Sequence, residues 1–149
     1  MTGRTQAAEY LSQVPIFSRL DDEILEALAD QSTDRSFSSG DQVAQQGSAN
    51  EGLLVIVDGE LEVHRGDRLF TVLGPGDYVG DMSLLDGEPH MVDVVATKDG
   101  HGVFLAGHQF QAAVRHHPEV ALEVIKVLVA RVRETVGWLE DAEVASNRD

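Results

Sequence analysis

The chain has no cysteine. That excludes a disulfide framework, thiolate nucleophiles and thiolate metal ligands, and it fits a reducing compartment. Basic residues are scarce. There are 11 Lys and Arg against 26 Asp and Glu, a formal charge of −15. Such a surface repels nucleic-acid phosphates and anionic membranes. Only Lys126, Arg131 and Arg133 fall near one another, and Glu119, Glu123 and Glu134 dilute them. Direct nucleic-acid binding is therefore not expected. No apolar run approaches the roughly 20 residues of a membrane span. Met1 to Leu11 lacks the apolar core of a signal peptide. The expectation is a cytoplasmic protein with no membrane partner.

Constellations for catalysis are also missing. Six histidines are present (His64, His90, His101, His108, His116 and His117) but no His-x-His pair. His116 and His117 are adjacent, so a helix cannot aim both at one metal. Ser83 follows Gly80-Asp81-Met82 without the Gly-x-Ser-x-Gly elbow of a nucleophile. It reads instead as a capping or backbone-bonding residue. No catalytic and no metal-binding residue is assigned, and an enzyme is not expected.

What is present is ordered texture. With 149 residues, 42 % of them hydrophobic, the chain suits one domain around one core. Ala7, Ala8, Leu11 and Val14 recur at helical spacing, so 5–14 reads as a helix ended by Pro15. Asp21, Asp22 and Glu23 suit a helix start, and Leu20, Ile24, Leu25 and Leu28 form one stripe, giving a second helix over 21–31. From Ser36 to Leu105 short apolar runs alternate with glycine-bearing turns: Ser39-Gly40-Asp41, Gln46-Gly47, Asp58-Gly59, Gly66-Asp67, Gly74-Pro75-Gly76 and Asp99-Gly100. Runs at this spacing predict short antiparallel strands. Helical texture returns at Gln109, breaks at His116-His117-Pro118, and resumes as one long helix with Val120, Val124, Leu128, Val132, Val136 and Leu139 on one face. The expected class is mainly β (α+β). An antiparallel β-roll or jelly-roll-like sandwich over 36–106 is flanked by N-terminal helices (1–35) and C-terminal helices (107–149), in a single domain of 1–149.

The stretch 78–92 carries the most specific pattern. The turn Leu73-Gly74-Pro75-Gly76-Asp77 leads into Tyr78-Val79-Gly80. One helical turn, Asp81 to Leu85, then ends at Asp86-Gly87, and a strand runs from Met91 to Ala96. A short helix between strands turns free backbone N–H groups and a positive dipole end toward one spot, which suits an anion.

Over roughly 15–140 the sequence resembles the cyclic nucleotide-binding domain family, of the catabolite activator protein type. Phe17, Leu20, Leu25 and Leu28 match its lead helix. Phe37, Gly40, Gln46-Gly47, Leu54 to Val57, Gly59 and Leu61 match its first hairpins. Leu73 to Gly80 matches the approach to the ligand, and Phe110 and Pro118 match the helices that follow. In that family the next stretch reads Gly-Glu-Leu/Met-Ala-Leu-Leu, then Pro-Arg and small residues. The glutamate holds the ribose 2′-OH and the arginine pairs with the cyclic phosphate. The resemblance places Gly80, Asp81, Met82 and Ser83 at the start of this stretch, and His90 and Met91 after Pro89. These six are the candidate ligand-binding residues, with cyclic AMP or cyclic GMP as the candidate ligand.

Two positions depart from the family pattern. Asp81 keeps a carboxylate on an arm one methylene shorter. His90 replaces a guanidinium that gives two parallel bonds and a permanent charge; imidazole gives one directed bond and is mostly neutral near pH 7. A charge-assisted bond contributes about 1.5–3 kcal/mol net, so the loss predicts roughly ten- to a hundredfold weaker phosphate binding. Two readings stand. In one, the chain is a stand-alone cyclic-nucleotide regulatory module. In the other, it is a degenerate domain that binds no nucleotide and serves as an interaction scaffold. No helix-turn-helix follows the long helix, so output is expected through a protein partner. The distal stripe of that helix, with Trp138 beside it, has nothing in the chain to cover it, and homodimerisation is expected there.

Overall fold

The structure, a computed structural model, describes residues 5–48 and 52–146. Residues 1–4, 49–51 and 147–149 of the expected 1–149 unit lie outside the described residues. Helix α1 (Gln6–Ser12) is capped by Thr5, whose hydroxyl accepts from the Ala8 N–H. It stops short of Pro15, which opens a 3-10 turn, Pro15–Phe17. Helix α2 spans Asp22–Gln31. Asp21 stands just before it as the cap and accepts from the Ile24 N–H at 3.0 Å.

Six strands follow: β1 (Thr33–Phe37), β2 (Gln42–Ala44), β3 (Gly52–Arg65), β4 (Arg68–Leu73), β5 (Tyr78–Val79) and β6 (Asp93–Ala106). All pairings are antiparallel, in the order β1-β6-β3-β4, with β2 on β6 and β5 on β3. Helix α3 (Asp81–Asp86) lies between β5 and β6, and α4 (Gly107–His116) and α5 (Glu119–Ser146) close the chain. The expected mainly-β roll with helices at both ends is the observed fold.

Two expectations are corrected. Asp58-Gly59 and Asp99-Gly100, read as turns, lie inside the continuous strands β3 and β6. The strands bend there together: Asp58 pairs with His101, Glu60 with Lys98, and the register shifts on both sides. Gly59 has φ of +104°, and a Cβ on Gly100 would run into the backbone carbonyl of Asp58. The glycines therefore let two strands cross closely instead of reversing the chain. Strand β1 also begins before the expected Ser36, through pairing of Thr33 to Ser36 with β6; these residues are polar and exposed, so hydrophobic period does not mark them.

Strand β3 splits its side chains by period two. Leu53 and Val55 join a core under the helices with Phe17, Leu28, Leu105, Phe110 and Val120. Leu54 and Ile56 face the roll interior with Phe37, Ala44, Leu61, Val94 and Phe104. Phe17 and Phe110 pack with ring centroids 5.9 Å apart, joining the N- and C-terminal helices. Helix α5 starts in this core at Val120 and Val124, then leaves it; Val132, Val136, Trp138 and Leu139 are exposed.

Candidate functional site

A cavity of about 510 Å³ opens at the mouth of the roll. Its walls include Arg35 and Phe37 of β1, Ala44 of β2, Leu54 of β3, Val79 of β5, Phe104 of β6 and His90. That volume lies within the range of small-molecule pockets. Its apolar wall is continuous with the roll core, and among the described residues its ionisable lining consists of Arg35, Asp41 and His90.

His90 is placed by backbone bonds to the loop after β2. Its N–H donates to the Ser48 carbonyl at 3.1 Å, and its carbonyl accepts from the Gly47 N–H at 2.9 Å. Asp93 anchors the same loop from β6, accepting from the Gln46 N–H at 2.8 Å. The segment before β6 and the turn carrying Gln46-Gly47 thus form one rim of the cavity.

Helix α3 is set between two left-handed glycines, Gly80 with φ of 96° and Gly87 with φ of 71°. Only residues without a Cβ visit this region routinely. Leu84 is its buried anchor. The N-terminus has no side-chain cap, and Ser83 contributes its carbonyl, which accepts from Gly87 at 2.8 Å.

Of the six candidate ligand residues, His90 alone lines the cavity. Met82 and Met91 are exposed, at 63 % and 59 %. Asp81 faces helix α5, with its Oδ2 3.9 Å from Nη1 of Arg131. Tyr78 belongs to the same cluster. Burial holds its phenol above the ordinary range, the Asp81 carboxylate adds to this, and Arg131 opposes it. Arg35 and Asp41 are ionisable cavity residues that sequence reasoning did not assign to the site; for Arg35 the reason is local. Its signal was a charge between Thr33 and Phe37 on a strand whose polar run hid the alternation. Among the described residues no group of three or more His, Asp or Glu is placed to hold a metal. No helix among them is long and apolar enough to cross a membrane.

The antiparallel roll, the glycine-bounded helix before its last strand and the trailing long helix define a ligand-sensing domain class. The cyclic nucleotide-binding domain model matches residues 34–117, and the chain belongs to that family. It is 25 % identical over 138 residues to a CRP-like cAMP-activated global transcriptional regulator of Mycobacterium tuberculosis, covering 89 % of this chain and 62 % of that one. It is 28 % identical over 125 residues to the cyclic AMP receptor protein of Thermus thermophilus, covering 80 % of this chain and 58 % of the relative. Among solved structures it resembles the N-terminal domain of a transcriptional regulator from Streptomyces coelicolor A3(2), with a TM-score of 0.78, 26 % identity, and coverage of 85 % and 94 %. The chain thus spans about six-tenths of the length of these two curated relatives. It is a cyclic nucleotide-binding regulatory domain of the CRP-like kind.

Proposed function

We propose that this domain binds cyclic AMP and passes the binding event to a partner through α5. The observation that carries the reading is the cavity at the roll mouth with His90 on its rim. It is of ligand size, apolar toward the core and polar at its opening. The proposed contact set is Gly80, Asp81, Met82, Ser83, His90 and Met91, brought to one ligand by movement of α3 against the rim. Such movement draws on Asp81, which contacts α5, so ligand capture and α5 position are coupled. The domain works as a regulator and not as a catalyst, in the cytoplasm. It forms a homodimer through the exposed stripe of α5 and signals to a protein partner.

A second reading has its own support. Asp81 engages Arg131, and two of the six contact residues are exposed methionines. This favours a domain that has given up nucleotide and acts as an interaction scaffold.

Calorimetric titration with cyclic AMP and cyclic GMP at pH 8 and pH 6 separates the two. Protonated imidazole holds phosphate more strongly than the neutral ring, so a His90 contact predicts tighter binding at pH 6 than at pH 8. No heat with millimolar nucleotide at either pH leaves the scaffold reading.

A further inference from the structure

Arg35 occupies a position where strand alternation calls for an apolar residue. Thr33 pairs with Phe104 and Arg35 with Gly102, so Thr33, Arg35 and Phe37 share the face of β1 that looks into the roll. Phe37 and Phe104 on that face are buried, at 6 % and 7 %. Arg35 shares their face but is itself exposed, so its charge stays hydrated at the cavity mouth.

The surroundings show how the cation is held. The guanidinium carbon of Arg35 lies 3.6 Å from the centroid of the Phe104 ring. A cation over an aromatic face at this distance is favourable in itself. The five N–H donors of a guanidinium lie in its own plane, which suits paired contacts to an anion. Arg35, Ser36, Ser48 and His90 line the same cavity, and among the described residues Arg35 is its one permanently charged basic residue. In a molecule of net charge −15, Arg35 offsets the Asp41 carboxylate in the lining of a ligand-sized cavity.

We propose that Arg35 is the anion anchor of this site. Its planar fork takes the phosphate of the ligand, the task for which His90 is the weaker group, and Phe104 is the platform that fixes the fork's plane. Whatever partners its donors hold before binding are exchanged for the phosphate oxygens. The inference rests on the reading of the cavity as a nucleotide site. It also makes a separate statement, that recognition of the anion comes from β1 as well as from the segment before β6.

The test is calorimetric titration of wild type, Arg35→Gln and His90→Gln with cyclic AMP and with uncharged adenosine, at pH 6 and pH 8. Arg35→Gln is expected to weaken cyclic AMP by roughly ten- to a hundredfold at both pH values and to leave adenosine unchanged. His90→Gln is expected to weaken cyclic AMP more at pH 6 than at pH 8. If Arg35→Gln does not fold by circular dichroism, Arg35→Met, which keeps an unbranched stem over Phe104, carries the same test. The proposal is overturned if the Arg35 variant binds cyclic AMP as wild type does, or loses adenosine equally. Should wild type bind no cyclic nucleotide, the functional reading fails by itself, and inorganic phosphate and 5′-AMP become the probes. Binding of either that disappears with Arg35→Gln upholds the anion anchor; no binding of either by wild type overturns it.

Discussion

Arg131 of α5 and Asp81 of α3 stand face to face, Nη1 to Oδ2 at 3.9 Å. The carboxylate that family resemblance assigns to a sugar hydroxyl is thus engaged by helix α5. Among the described residues a second ion pair ties α5 nearer its start, from Arg19 to Glu123 at 2.8 Å. One carboxylate has two claimants, so ligand and Arg131 compete for it, and the competition is reciprocal. The pair is partly exposed and contributes at most about 1 kcal/mol. Arg131→Ala is therefore expected to tighten cyclic AMP by up to about fivefold. Amide exchange of the distal half of α5 should speed up in the same variant. Unchanged affinity and exchange would sink the coupling.

Tyr78 sets an alkaline limit. Its phenol is raised by burial first and by Asp81 second, so the folded state favours the protonated form. Its contribution to stability is whole below the unfolded value near 10 and is lost as pH rises through the raised folded value. Melting temperature is expected to fall above about pH 10 in wild type, and less steeply in Tyr78→Phe. Equal slopes for the two proteins would show that Tyr78 is not the group responsible.

His90→Arg restores the guanidinium that the family pattern carries. Since backbone bonds to Gly47 and Ser48 place residue 90, the change keeps its position. The variant is expected to bind cyclic AMP roughly ten- to a hundredfold more tightly and to lose the pH dependence between 6 and 8. Calorimetry reads both quantities. No gain in affinity would mean that residue 90 does not face the phosphate.

The exposed stripe of α5 predicts a concentration-dependent dimer. Val132, Val136 and Leu139 are 61 %, 46 % and 65 % exposed in the single chain. Replacing Val136 and Leu139 with lysine is expected to halve the mass in sedimentation while leaving the circular dichroism spectrum intact. A wild-type monomer at micromolar concentration would remove this interface.

Two glycines predict opposite effects. A Cβ on Gly100 meets the Asp58 carbonyl and Gly59 across the bend, so Gly100→Ala is expected to cost about 1–3 kcal/mol in denaturant unfolding. A Cβ on Gly137 in α5 meets nothing within 4 Å, so Gly137→Ala is expected to stabilise by about 0.5–1 kcal/mol. If the helices of a dimer cross at Gly137, the same alanine weakens association, and sedimentation distinguishes the two.

Much of the fold was open to reading because its signals are local. The Asp21 cap, the Pro15 stop, the stripe from Ile24 to Leu28 and the glycines bounding α3 act within a few residues of themselves. Hydrophobic period and backbone sterics therefore determine helix, strand and turn there without reference to the rest of the chain. Asp58-Gly59 and Asp99-Gly100 exposed the limit of such signals. An Asp-Gly pair has the same backbone freedom in a hairpin turn as in a bend. Only the pairing of β3 with β6, which sets the two pairs against each other, chose the bend.

The same distinction holds for the site. Gly80, Asp81 and His90 stood out as a patterned stretch in the chain, and the chemistry lost at His90 followed from imidazole against guanidinium. Which groups share the cavity with His90 was decided in three dimensions. Arg35 reaches it because β1 pairs with the far end of β6 and lays the guanidinium on Phe104. Asp81 faces Arg131 of α5 and does not line the cavity. Contacts between distant segments depend on register and on helix direction. Those are fixed only when the whole core closes, and spacing along the chain carries no measure of them.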